Sequence, residues 1–297
     1  MIKKVLRISV FTGMLTGVFL SMHSCRTVLP VYFYIPPGTS REVYRNSPDL
    51  LVTVYPHKFS RPAGSVIFIH GGGWQMGGPD MPFYSDWEEL LYNARLKVFS
   101  IEHRTSPSYR GRELVYDCMD AVRYINKNAA RFGIPENRFA LVGFSSGGHL
   151  ALMSALEFNE DSMERIKISS VIAYYPPVEL KLLYRNGNSQ VRKILEEFVP
   201  VSSLADERSL FNALEELSPY SKIHKKMPHT LLVHGKADRL VPWNQSKIFY
   251  EKSRMMNPDR IELILIHHGR HNFNSERNRE SIHAEKRAVK FIQKYMN

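Results

Sequence analysis

The sequence predicts an α/β fold, with a mostly parallel central sheet and helices on both faces. Three observations carry that prediction. Short apolar runs bounded by glycine, such as Ser65-Val66-Ile67-Phe68-Ile69 before Gly71, read as buried strands. Longer segments with helical periodicity fall between them. From residue 50 onward the two kinds of segment alternate, which is the signature of parallel strands joined by crossover helices.

Each element has its own reason. Residues 25–48 hold Pro30, Pro36, Pro37, Gly38 and Pro48 and read as an irregular tether. Strands are expected at 50–55, 65–70 and 97–102, with a helix near 84–94 between the last two. A helix is expected at 113–132, because Val115, Cys118, Val122, Ile125 and Ala129 recur at spacings of three and four. Strand 139–144 runs into helix 146–158, and strand 169–175 follows. Strand 230–234, helix 244–255, strand 261–266 and helix 281–295 complete the pattern. The exception is 178–217, which contains amphipathic pieces at 191–199 and 204–217. It reads as an insert that caps the C-terminal edge of the sheet, or else as a surface insert without a part in selectivity. Residues 49–297 therefore form one domain, and no internal repeat or low-complexity run interrupts it.

The chemistry concentrates at the strand ends. Gly143-Phe144-Ser145-Ser146-Gly147 is a G-x-S-x-G set between a buried strand and a helix-forming run. A serine on such a turn is pushed out of the backbone toward solvent, and the spacing selects Ser145 over Ser146. On the pentapeptide alone, a glycine-rich loop without chemistry explains it equally well. His70-Gly71-Gly72-Gly73-Trp74 follows another buried strand, and its backbone N–H groups are free to meet a ligand oxygen. Asp238 lies just beyond the strand that ends at Gly235, where it is either a catalytic acid or a helix cap. His271 follows strand 261–266. The chain order Ser145, Asp238, His271 is that of hydrolases with a nucleophile elbow.

With these motifs in hand, the chain resembles an α/β-hydrolase of the esterase/lipase group. It is similar to the hormone-sensitive-lipase-like carboxylesterases and to bacterial acetyl-xylan and feruloyl esterase-like proteins. The likeness rests on 70–74, 143–150, 235–242 and 269–273, with further family-like segments at 102–104 and 131–134. It departs from the family at Ser146, where alanine is frequent, and at Asn272, where glycine is common.

The resemblance implies roles. Ser145 would attack the ester, His271 would carry the proton, and Asp238 would orient the imidazole. Gly72, Gly73 and Ser146 would supply oxyanion N–H groups, and Trp74 would help shape the substrate pocket. His70 reads as structural, and His268 is the next candidate for the base. His267 and His271, four residues apart, would suit zinc only on a helix; the strand before them and Gly269 between them argue against one. No metal and no cofactor are expected.

The N-terminus sets an address. Lys3, Lys4 and Arg7 precede an apolar run that ends at Ser24-Cys25, so 1–24 read as a signal peptide. The cysteine resembles a bacterial lipoprotein cleavage site, with Cys25 lipidated and the enzyme held at the cell envelope. An ordinary signal peptide or an uncleaved anchor stays open. The second cysteine, Cys118, then has no partner and reads as a buried small hydrophobe. Cleavage removes three basic residues and lowers the net charge from +11 to +8. That balance suits anionic surfaces or glycans, yet the basic residues alternate with acids and read mostly as a solvated face. Nucleic acid is not an expected partner. The resemblance implies hydrolysis of short acyl esters, including acetyl groups on polysaccharides. A prolyl-oligopeptidase-related peptidase and an inactive surface-binding hydrolase fold are the alternatives.

Overall fold

The computed structural model describes residues 36–79, 84–161, 163, 165–276 and 278–296. The expected signal peptide over 1–24 and the expected lipidation site Cys25 lie outside these residues.

Strands β1 (Ser40–Arg45), β2 (Leu50–Val54), β3 (Gly64–Ile69) and β4 (Leu96–Ile101) come first, with helix α1 (Tyr84–Asn93) between β3 and β4. Helices α2 (Gly111–Lys127) and α3 (Ala129–Phe132) lead to β5 (Phe139–Phe144), α4 (Ser146–Glu160) and β6 (Ile168–Tyr174). The insert supplies α5 (Leu180–Asn186), α6 (Ser189–Phe198) and α7 (Glu207–Glu216). Strand β7 (His229–Gly235), α8 (Asn244–Met256), β8 (Ile261–Ile266) and α9 (Arg279–Met296) close the fold.

Among the described residues the sheet runs β1-β2-β4-β3-β5-β6-β7-β8. Every pair from β4 to β8 is parallel, while β1 and β2 pair antiparallel at one edge. The expected α/β architecture is therefore present. Strands β3 and β5 are buried along their whole length, as central parallel strands must be when helices cover both faces. One core cluster packs α2, α4, α8 and the insert on one face; the other packs α1 and α9 on the opposite face. Burial of side chains such as Phe68 and Phe139, both 0% exposed, contributes about 1.5–3 kcal/mol each.

Two differences from the sequence reading stand out. The tether expected over 25–48 is not irregular throughout, because Ser40–Arg45 forms edge strand β1 and pairs with β2. The single helix expected over 113–132 breaks at Asn128, whose side chain turns back to donate to the Tyr124 carbonyl, at 2.8 Å. The apolar stripe itself is correct: Val115, Cys118, Val122 and Ile125 are fully buried, and burial pushes the Cys118 thiol up. Among the described residues no helix is long and apolar enough to cross a membrane.

Candidate active site

The nucleophile elbow follows from two close approaches. A Cβ on Gly143 would sit 2.2 Å from the Gly147 carbonyl oxygen, and one on Gly147 would sit 2.2 Å from that of Ile69. Only glycine at both positions lets β5 turn into α4 beside β3. Ser145, at the apex, has φ 53° and ψ −121°, a conformation that costs a non-glycine residue about 1–3 kcal/mol. The surrounding packing holds it there, and the side chain is left partly open.

The three residues expected to work together meet. His271 Nδ1–H donates to Asp238 Oδ2 at 2.7 Å. That bond leaves the Nε2 lone pair to accept the Ser145 hydroxyl proton across 2.9 Å. Asp238 is buried, and its other oxygen accepts from the Leu240 and Val241 amides at 2.9 Å. Burial alone would raise this carboxyl; the imidazole N–H groups of His234 and His271 outweigh it and hold it at about 2. Asp238 is therefore ionised at any pH where the histidine can act. His268 stands exposed in a turn beside His267, not on a helix, and neither takes part in this chain.

The oxyanion loop packs directly on the elbow. A Cβ on Gly71 would lie 2.7 Å from the Phe144 carbonyl oxygen and 3.4 Å from Ser145 Cβ. Gly72 and Gly73 both have positive φ, at 123° and 63°. Their N–H groups have no hydrogen-bond partner among the described residues. Ser146, as the first residue of α4, has an amide that the helix cannot satisfy. His70 bonds within the loop, donating from Nδ1 to the Gly71 carbonyl at 2.9 Å. It stacks 4.0 Å from His103, and burial lowers it to about 3, so this pair is neutral packing behind the loop.

Trp74 differs from its expected place as a pocket wall. Its indole is 3% exposed and stacks on Phe198 of α6, with centroids 4.3 Å apart. Its Nε1–H donates to His149 Nδ1 at 3.3 Å, and His149 Nε2–H donates in turn to the Leu217 carbonyl at 2.7 Å. Trp74 thus fastens the insert to the oxyanion loop. Gln75 bonds Glu197 in the same seam, and Ile194 lies 3.8 Å from where a Gly73 side chain would stand. The insert therefore packs against the glycine loop.

Sequence reasoning missed three supports. His149 joins Trp74 and Leu217, which lie 75 and 68 residues from it in sequence, so no local pattern betrays it. His234, read only as the end of a strand, sits behind Asp238 with Nε2 3.4 Å from Oδ2 and donates to the Val241 carbonyl at 2.8 Å. Tyr175 has φ 39° and puts its ring 4.6 Å from the His271 ring, while its hydroxyl bonds Asn274 at 2.5 Å. The unusual φ of Tyr175 has no signal in the sequence. Among the described residues no group of three or more histidine, cysteine or acidic side chains gathers in metal-binding geometry.

Comparison with known proteins agrees with this architecture. The BD-FAE family model matches residues 52–253. Esterase LipC of Mycobacterium tuberculosis is 23% identical over 78% of this chain, which spans 59% of that relative's length. An arylesterase of Saccharolobus solfataricus is 27% identical over 69% of the chain and 68% of its own length. Among solved structures, Thermogutta terrifontis esterase 2 with butyrate bound has a TM-score of 0.67 at 22% identity, covering 86% of this chain and 92% of that one. The same esterase has been solved phosphonylated by sarin, with a TM-score of 0.69 at 21% identity, covering 85% of this chain and 93% of that one. The likeness to these structures is one of fold. With the family model matched across most of the domain, the chain belongs to the BD-FAE family of α/β-hydrolase-fold esterases.

Proposed function

We propose that this protein is a serine carboxylesterase that hydrolyses short-chain acyl esters, acetyl esters among them, through an acyl-enzyme. The observation that carries the reading is the unbroken hydrogen-bond chain Ser145–His271–Asp238, at 2.9 and 2.7 Å. His271 Nε2 takes the Ser145 proton as Oγ attacks the ester carbonyl. The oxygen of the tetrahedral intermediate takes its charge among the Gly72, Gly73 and Ser146 amides. His271 then returns the proton to the departing alcohol. Water, deprotonated by the same nitrogen, releases the acid and restores Ser145. Asp238, already ionised, balances the imidazolium at each stage.

The short-acyl preference is supported by the likeness to Thermogutta terrifontis esterase 2, solved with butyrate bound. The test is hydrolysis of p-nitrophenyl esters from acetate to laurate by wild type and Ser145→Ala, with fluorophosphonate labelling of both. Short-chain turnover and labelling that vanish with Ser145→Ala are expected. A wild type that neither labels nor turns over any ester would overturn the reading in favour of a binding protein. Export with a lipid on Cys25 completes the proposal. Wild type should partition with membranes and Cys25→Ala with the soluble fraction; equal partition would defeat it.

A further inference from the structure

The turn that offers the oxyanion amides is held from a segment outside the triad. Gly72, Gly73 and Trp74 have positive φ in succession, at 123°, 63° and 61°. Glycine adopts such angles freely, whereas a bulky residue such as Trp74 stays there only when its neighbours hold it. Phe198 and His149 hold the indole. The backbone is held elsewhere: the Trp74 carbonyl accepts from the Ser106 N–H at 2.8 Å and from the Ser106 hydroxyl at 3.1 Å. Ser106 is buried, and its hydroxyl has no other hydrogen-bond partner among the described residues.

Ser106 is itself anchored. Two residues earlier, Arg104 donates from Nε to both oxygens of Asp117, at 2.8 and 3.1 Å, and from its backbone N–H to Oδ2 at 3.0 Å. Its Nη1 donates to Glu113 Oε1 at 3.0 Å, and its Nη2 to the Glu113 carbonyl at 3.2 Å. Asp117 is fully buried on α2. Main chain and side chain of Arg104 are thus locked to one helix by charge-assisted bonds, and Ser106 follows as a fixed post.

Two peptide units carry this constraint to the site. The Trp74 carbonyl and the Gln75 N–H belong to one unit, and in a trans unit they point in opposite directions. With its carbonyl turned to Ser106, the unit sends the Gln75 N–H to the Gly72 carbonyl at 3.1 Å, where the Met76 N–H joins it at 3.2 Å. The Gly72 carbonyl shares its own unit with the Gly73 N–H, and neither unit is cis. Fixing that carbonyl therefore fixes the direction of the Gly73 N–H, which has no partner among the described residues. We infer that Ser106 is a positioning residue for oxyanion stabilisation, setting the aim of the Gly73 amide through its two bonds to the Trp74 carbonyl. This inference rests on the esterase reading, in which that amide is an oxyanion donor. A donor already aimed needs no reorganisation as charge develops on the substrate oxygen, and one left free to swing must be reordered at each turnover.

The experiment compares wild type with Ser106→Ala, counting active sites by end-point fluorophosphonate labelling so that unfolded protein does not enter the rates. Two quantities are read per labelled site: hydrolysis of p-nitrophenyl acetate, and inhibition by 2,2,2-trifluoroacetophenone. Ser145 Oγ adds to the carbonyl carbon of this ketone, the hydroxyl proton passes to His271 Nε2, and the carbonyl π pair moves onto oxygen. The adduct thus bears the oxyanion without a leaving group. Ser106→Ala should lower kcat and kcat/KM about tenfold with KM within about twofold of wild type, and should raise the Ki of the ketone by the same factor. Arg104→Lys, which keeps the charge but loses the fork to Asp117, should give the same coupled loss of turnover and ketone affinity. A residue that only stabilises the fold would lower the labelled fraction and leave both per-site quantities unchanged. That outcome for Ser106→Ala overturns the inference, as does a rise in KM alone, and either leaves the esterase reading intact. A wild type that neither hydrolyses the ester nor binds the ketone defeats the esterase reading instead, before any variant is compared.

Discussion

At the scale of single residues, the hydrogen-bonded candidates Ser145, His271 and Asp238 were legible and their supports were not. Ser145, Asp238 and His271 each sit in a local motif at a strand end, so short stretches of sequence name them. His149 sits within such a motif and still escaped notice, because its partners Trp74 and Leu217 are 75 and 68 residues away. Its function is mechanical, and it is testable. His149→Phe keeps the aromatic bulk but leaves the Trp74 N–H and the Leu217 carbonyl buried without partners. Each orphaned group costs about 1–3 kcal/mol, so a loss of about 2–6 kcal/mol is expected in denaturant unfolding. Adding Trp74→Phe to that background should recover part of the loss, because one of the two orphans disappears. Strict additivity of the two substitutions would show that the indole–imidazole bond contributes nothing.

At the scale of elements, central strands and long helices were readable and the edges were not. Strands β3 and β5 are continuous apolar runs because both faces are covered. Strand β1, Ser-Arg-Glu-Val-Tyr-Arg, is half exposed and charged, as a protected sheet edge tends to be, and such a composition looks like a tether. Helix α5 has only seven residues and owes its start to the Glu179 side chain, so its periodicity is too short to detect. The Phe198–Trp74 stack is one anchor of the insert, beside the Gln75–Glu197 and His149–Leu217 bonds. Phe198→Ala should loosen α6 from the oxyanion loop at a cost of about 3–5 kcal/mol if the gap does not collapse. Its measurable consequence is a shift of the p-nitrophenyl ester profile toward longer acyl chains, together with faster proteolysis within 187–206. A profile that keeps its short-chain optimum would remove the insert from acyl selection.

At the scale of the whole molecule, acid should be its weakness. Burial lowers His149 to about 4 and His70 to about 3. In the unfolded chain both would titrate near 6.5. Below that value the unfolded state binds protons that the folded state refuses, so stability falls as pH drops from about 6.5 toward 4 and below. His149 alone accounts for about 3 kcal/mol across that interval. Asp238 adds a further loss at lower pH: its carboxyl is held at about 2, and its stabilisation is present above the ordinary carboxylate range and fades through it. Thermal unfolding from pH 8 to pH 4 should show a steady decline beginning near pH 6.5, and His149→Phe should flatten it. A pH-independent midpoint over that interval would contradict the neutral burial of these imidazoles. Composition gave no hint of this behaviour, since a count of twelve histidines does not say which ones are enclosed.

A Cβ at Gly235 would stand 2.1 Å from the Gly269 carbonyl oxygen. The strand end that leads to Asp238 and the bend that leads to His271 therefore rest on each other through bare backbone. Acid and base share one hinge pin, and neither can be moved alone. A mutational scan would score Gly235 as though it were part of the chemistry, although it meets no substrate. Any redesign that swaps the β7 loop without the β8 loop would uncouple the triad at its root, whereas a graft that carries both loops together would keep their spacing.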